Sequence, residues 1–208
     1  LNLCLSLFRE NEVPVLGVIV NKVKVSKYDK VKKYVGKYLR AEGLPLLGVL
    51  PYDKSLAYPV MKTIAGAIQG TVTHNADMLG NKVADILAGS LLDLEELKNN
   101  QDLLLVVTTR LVDEAIEKIK SYSKEHGIEG CPLAGIVATG TGELDPHCLD
   151  YIEEHKIPTV RTRLDTYGSV LKISKIEVKI NRSTPWKVER AIQLIDDNVD
   201  LDMILQEA

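Results

Sequence analysis

The sequence predicts an α/β protein made of two units, and three observations predict it. Short β-branched runs alternate with amphipathic helical stretches, the strand–helix–strand pattern of a layered fold. The strand-like runs are apolar on both faces, which suits parallel strands covered by helices above and below. The charge also changes sign along the chain. Residues 1–66 carry 11 Lys/Arg against 5 Asp/Glu, a balance of +6, while residues 67–208 carry a balance of −9. We therefore expect one unit over 1–66 and a second over 67–208.

The elements follow in order. Residues 1–10 read as the closing turns of a helix, with Leu3, Leu7 and Phe8 apolar. Val15–Val20 reads as a strand covered on both faces. Ser26 is placed to cap a helix over 27–41, whose face is Tyr28, Val31, Val35, Tyr38 and Leu39, and Gly43 stops it. A second strand, Leu46–Leu50, runs into Pro51, and a short helix follows Pro59. Thr71–Thr73 and Val83–Leu87 are the expected strands of a glycine-punctuated stretch. Then come a short helix Leu91–Lys98, a strand Leu103–Val107, and a helix Leu111–Glu125 that turns Val112, Ala115, Ile116 and Ile119 inward. A strand Leu133–Ala138 precedes a helix from Pro146, capped by Asp145 with proline at its first position. A strand Pro158–Thr162, a helix over 167–174 and a last helix over 184–197 complete the list. The last is expected to bury Val188, Ala191, Ile192 and Ile195.

Composition sets the outer bounds. The 208 residues are 45% hydrophobic and 26% charged, an ordinary globular mixture, and aromatics are only 5%, so the core rests on Leu, Ile and Val. No apolar run approaches the ~18 residues of a membrane span, and no signal-peptide pattern opens the chain. A net charge of −3 argues against a uniformly basic nucleic-acid binder. The basic run Lys22–Arg40 reads as a solvated helix face. Cys4, Cys131 and Cys148 form no CxxC pair, and His74, His126, His147 and His155 form no HxxxH or HExxH pair. A disulfide framework and a metal site thus lack support, and buried thiols in a reducing cytoplasm are expected.

Three strands of the second unit end in small polar residues: Thr108-Thr109-Arg110, Thr139-Gly140-Thr141-Gly142, and the stretch reaching Asp165-Thr166. In an open parallel sheet, ligands sit beyond the carboxyl ends of the strands. Glycines there let backbone N–H groups approach a ligand, the helix at Pro146 offers its positive end, and Arg110 offers a bidentate contact. A small anionic ligand or nucleotide fits such a crevice. The same residue types also serve tight turns and helix caps, so both roles stay open. No GxxxxGK[ST] occurs, so no phosphate loop wraps a triphosphate in this chain.

Two phrases, Gly17–Val23 and Leu47–Asp53, nevertheless resemble the closing half of a phosphate-loop NTPase domain of the dethiobiotin synthetase and cobyrinate a,c-diamide synthase branch. That resemblance implies that Asn21 reads an adenine edge and that Pro51 flanks the base. Beyond residue 70, the phrases Leu104–Asp113, Gly135–Pro146, Ile157–Val160, Asp165-Thr166-Tyr167 and Lys172-Ile173-Ser174 resemble a DRTGG domain. Thr184–Leu205 is similar to that family's closing helix. In this order the motifs resemble the BioD-like N-terminal region of long phosphotransacetylases joined to a DRTGG domain. The name-giving Asp-Arg stands here as Thr109-Arg110, and Thr-Gly-Gly stands as Thr139–Gly142.

The resemblance implies a partial phosphate-loop-type parallel α/β unit followed by a DRTGG-type α/β domain, and a fragment of a longer protein. It implies a regulatory module with no catalytic residues of its own that pairs as a homodimer. The candidate ligand site is Thr109, Arg110, Asp113, Thr139, Gly140, Thr141, Gly142, Asp165 and Thr166. No cofactor is expected in this chain; ATP and Mg²⁺ belong only to a longer parent. Two alternatives stand beside this reading: a piece of an ATP-dependent ligase of the same branch, and a dimerisation module without a ligand.

Overall fold

Parallel strand pairing organises both halves of the chain, as the strand–helix–strand pattern requires. The computed structural model describes residues 2–89, 101–182 and 184–207. Two compact units emerge, one of Leu1–Leu56 with Ile180–Ala208 and the other of Ala57–Lys179. Along the first stretch come α1 (Asn2–Glu10), β1 (Val18–Val23), α2 (Tyr28–Ala41) and β2 (Leu46–Pro51). The second unit begins with α3 (Met61–Ala67), β3 (Thr71–His74), β4 (Asp85–Ala88) and β5 (Leu103–Thr108). It continues with α4 (Val112–Glu125), β6 (Leu133–Thr139), α5 (Pro146–Glu154), β7 (Thr159–Thr162) and α6 (Thr166–Ser174). The tail adds α7 (Pro185–Asn198) and α8 (Leu201–Glu207). The helix expected at Leu91–Lys98 lies outside the described residues.

The packing boundary therefore departs from the charge boundary at 66/67. Helix α3 belongs to the second unit, because Met61 and Ile64 are fully buried in its core. The tail belongs to the first. Charge describes the solvated surface and packing the buried one, so a change in the first need not mark a seam in the second.

In the first unit β1 and β2 pair in parallel. The expected strand Val15–Val20 forms three residues later than its apolar run, and Ile19 is 43% exposed instead of covered. Among the described residues this sheet has two strands, so β1 is an edge. Ser26 does not cap α2: it lies in a 3-10 turn, Val25–Lys27, and the residue before the helix, Lys27, makes no side-chain cap. The exit matches expectation. Gly43, at φ +72°, donates to Arg40 and Leu44 donates to the Leu39 carbonyl, the paired bonds of a glycine-terminated helix.

Helix α7 presents a different face from the one expected. Lys187 and Leu194 are buried, whereas Val188, Ile192 and Ile195 are 37%, 54% and 40% exposed. The apolar stripe is wide, and periodicity alone does not say which edge of it is covered. The buried line runs through Lys187, whose stem is apolar and whose Nζ donates to the Leu56 carbonyl at 3.0 Å. Burial pushes its ammonium below the ordinary lysine range. After α7, Val199 bridges Gly48 and Asp200 donates to the Leu47 carbonyl at 2.8 Å. A Cβ at Gly48 would lie 2.6 Å from the Asn198 carbonyl oxygen, so only glycine admits the tail here. Helix α8 was not foreseen.

The second unit is a five-stranded sheet of order β3-β7-β6-β5-β4. Strands β4 to β7 are parallel neighbours and β3 pairs antiparallel with β7 at one edge. Alternation along β5 sends Leu103, Leu105 and Val107 to one face, where Val112, Ile116 and Ile119 of α4 and Ile152 of α5 cover them. Leu104 and Val106 face the other side, against α3 and against Ile173 of α6. Both faces are therefore dry, as continuous apolar strands demand, and the inward residues of α4 are those the sequence predicted.

Candidate functional site

The three predicted loops do emerge from neighbouring strands. Thr108 is in register with Thr139, and Thr139 with Thr162, so a row of threonines crosses β5, β6 and β7 near their carboxyl ends. Just beyond this row the threonine hydroxyls turn inward. Thr109, 4% exposed, donates its hydroxyl to the Thr139 carbonyl at 3.1 Å. Thr139, 1% exposed, donates to the Val107 carbonyl at 3.2 Å, and its Oγ1 lies 3.1 Å from Thr166 Oγ1. Thr109, Thr139 and Thr166 thus form one connected network that ties β5, β6 and the start of α6 together.

The acids at these strand ends serve helices. Asp165 Oδ1 accepts from the Gly168 N–H at 2.6 Å and caps α6, while Asp145 accepts from the His147 N–H at 3.0 Å and caps α5. Asp113, in the first turn of α4, acts on Cys148 across the helices. Burial first, then the charges of Asp113 and Asp145, push that thiol up to about 11. A thiol so raised is an inert core group. Cys4, by contrast, is exposed instead of buried. Arg110 is exposed in the 3-10 turn after β5 and makes no hydrogen bond or ion pair among the described residues.

Gly140, Thr141 and Gly142 lead elsewhere. Gly140 (φ +79°) donates to the Thr162 carbonyl, which turns the loop across β7, and Gly142 (φ +127°) gives its carbonyl to Arg161 Nη2. Here the loop, β7 and the antiparallel edge strand β3 enclose a cleft of about 690 Å³. Gly140 and Thr141 line it together with Gln69, Thr71, Thr73, Arg161 and Arg163, and Ile68 and Leu164 supply its apolar part. Arg163 is exposed and has no partner among the described residues. Gln69 sits in left-handed backbone at φ +51°, a conformation uncommon for a non-glycine residue. The next residue must be glycine, since a Cβ at Gly70 would lie 2.4 Å from Val160 Cγ1.

The cleft therefore takes in Gly140 and Thr141 from the predicted set and touches Gly142 through Arg161. It leaves Thr109, Arg110, Asp113, Thr139, Asp165 and Thr166 out of its lining. Arg161, Arg163, Gln69, Thr71 and Thr73 were not anticipated. The signal was present in Thr159–Arg163, where arginines two apart in an extended run leave on one face. That Thr71 and Thr73 join them follows from an antiparallel pairing across some 90 residues, which local pattern does not reveal.

In the first unit, Asn21 and Pro51 lie on adjacent parallel strands near their carboxyl ends. One extra residue in β1 falls between the pairs Val20–Val49 and Val23–Pro51, with Lys22 at φ +59°. The exposed Asn21 accepts the Lys22 N–H through Oδ1 at 2.7 Å. Nearby, Asp53 takes the N–H and hydroxyl of Ser55 and pairs with Arg190 at 2.6 Å. Burial alone would raise this carboxyl, but the Ser55 and Arg190 contacts outweigh it and hold it below the usual range.

Fold and cleft together define an α/β protein with parallel sheets, whose larger unit opens an arginine-bearing cleft at the strand ends. No family model matches the chain. Its sequence is 20% identical over 181 residues to the phosphate acetyltransferase of Acinetobacter baylyi, covering 85% of this chain and 24% of that protein. It is likewise 20% identical over 201 residues to the phosphate acetyltransferase of Nitrosomonas europaea, covering 92% and 28%. The chain thus spans about a quarter of the length of these relatives. Among solved structures, it aligns with the CBS and DRTGG domains of the regulatory region of Clostridium perfringens pyrophosphatase, complexed with the activator diadenosine tetraphosphate. That alignment has a TM-score of 0.41 and 10% identity, over 76% of this chain and 72% of that one. Among the described residues no helix is long and apolar enough to cross a membrane, and no three His, Cys, Asp or Glu side chains group as a metal site.

Proposed function

We propose that this chain is a non-catalytic regulatory module of a phosphotransacetylase-like protein. It binds a small anionic metabolite or nucleotide in the cleft between β3, β7 and the Gly140–Gly142 loop. The observation that carries the proposal is a pair of arginines, Arg161 and Arg163, in a cleft whose lining holds no carboxylate among the described residues. Two guanidinium groups without a counter-charge favour an anion, and Arg is the side chain suited to phosphate and carboxylate forks. The volume suits a metabolite-sized ligand. The similarity to part of two phosphate acetyltransferases supports the choice of parent. Under this proposal the stretch Leu1–Leu56 of the first unit is the closing half of a BioD-like domain and the assembled protein pairs as a homodimer.

Thermal unfolding of the 208-residue chain with millimolar inorganic phosphate, pyruvate, acetyl phosphate and nucleotides tests it. A ligand present at 100 times its Kd adds about 2.7 kcal/mol, which raises Tm by about 5–10 °C in a chain of this size. A panel that leaves Tm unmoved throughout would overturn the proposal.

A further inference from the structure

The composition of the cleft wall narrows the ligand class, and this step rests on the proposal that the cleft is a ligand site. We infer that it takes a non-aromatic phosphomonoester, a small phosphate dianion carrying a hydroxylated aliphatic body, and not a nucleotide read through its base. Three features argue for this. The two arginines stand two residues apart at the end of one strand and both line the cleft, so their charges meet one compact group. A phosphate dianion matches that charge of two and offers three oxygens to the guanidinium donors and to the hydroxyls of Thr71 and Thr141. Those hydroxyls and the Gln69 amide make no side-chain hydrogen bonds among the described residues, so their donors are available.

The third feature is what the wall lacks. None of the described residues lining the cleft is Phe, Tyr, Trp or His, and their apolar part is two aliphatic side chains, Ile68 and Leu164. Base recognition draws on aromatic stacking, and this wall has no platform for it. Arg161 is also fixed in advance. Its Nη2 is held by the Gly142 carbonyl, and a guanidinium with five donors keeps others for the ligand. Arg163, exposed and without a partner among the described residues, offers the second guanidinium to the phosphate.

Calorimetric titration of the 208-residue chain with glycerol 3-phosphate, inorganic phosphate and adenosine monophosphate tests the inference. Arg163→Gln is the variant of choice, because Arg163 supports no other contact, whereas Arg161→Gln would also release the Gly142 loop. The expected result is that glycerol 3-phosphate binds and that adenosine monophosphate binds no tighter. Arg163→Gln should weaken both by about 10- to 100-fold, the loss of one charge-assisted contact, and Arg163→Lys should restore part of it. If adenosine monophosphate binds at least about tenfold tighter, with both ligands weakened by Arg163→Gln, the cleft is a ligand site but the inferred class is wrong. If no probe binds at 10 mM, or binding ignores Arg163→Gln while an unchanged melting curve shows the fold intact, the ligand site itself is misplaced and the inference falls with it.

Discussion

Replacing Gly48 with alanine separates two opposed expectations. Strand interiors disfavour glycine, so on local grounds Gly48→Ala in β2 stabilises by about 0.5–1 kcal/mol. The packed structure predicts the reverse. The new Cβ would lie 2.6 Å from the Asn198 carbonyl oxygen, 2.9 Å from Val199 Cγ2 and 3.0 Å from Val199 Cα. Two of these are backbone atoms, so relief requires strand and tail to move apart. That movement strains the Gly48–Val199 bridge and the 2.8 Å bond from Asp200 N–H to Leu47. Overpacking costs about 1–3 kcal/mol and a weakened hydrogen bond about 0.5–1.5, so the expected loss is about 2–4 kcal/mol. In a chain of this length that lowers Tm by about 5–15 °C. Urea and thermal unfolding measure the loss, and hydrogen exchange on residues 185–199 shows whether α7 loosens with it. An unchanged or raised Tm would refute the docking of the tail on the first unit.

Other outcomes follow from the same contacts. Asp53→Asn should cost about 1–2 kcal/mol at pH 6 by removing a charged hydrogen-bond acceptor. The folded carboxyl is depressed, so its contribution is present above the unfolded value of about 3.9 and disappears as pH falls through the folded value. The stability gap between wild type and Asp53→Asn should therefore close below about pH 4 in urea titrations. Thr139→Val should destabilise by about 1–3 kcal/mol by deleting a buried hydroxyl from the strand-end network, while leaving anion affinity within twofold; a selective loss of affinity would return Thr139 to the ligand site. Asp165→Ala should cost about 1 kcal/mol as a lost helix cap, and a larger loss of anion binding than of stability would contradict that role.

How much was legible in the sequence depended on whether the signal was local. The apolar runs Leu103–Val107 and Leu133–Ala138, the inward face of α4 and the Asp145-Pro146 start all followed from periodicity and capping chemistry. The covering of β1 did not, because an apolar run gives no count of neighbouring strands, and Ile19 stands exposed at an edge. The inward line of α7 ran through a lysine, whose charge argues for solvent while its four-carbon stem argues for the interior. Three loops at neighbouring strand ends were foreseen, and the register of Thr108, Thr139 and Thr162 sets them side by side. Which of their groups face outward was not foreseen. Thr109, Thr139 and Asp165 spend their polar atoms on the backbone, and the outward-facing cations come from β7 beside a strand some 90 residues earlier in the chain.

Residue-resolved amide NMR during titration with inorganic phosphate locates the anion directly. Binding in the cleft should shift Gln69, Thr71, Gly140, Thr141, Arg161 and Arg163 together in one saturating process. Shifts confined instead to Thr109–Asp113 and Asp165-Thr166, or no saturable shift at all, would contradict the placement of the ligand between β3, β7 and the Gly140–Gly142 loop.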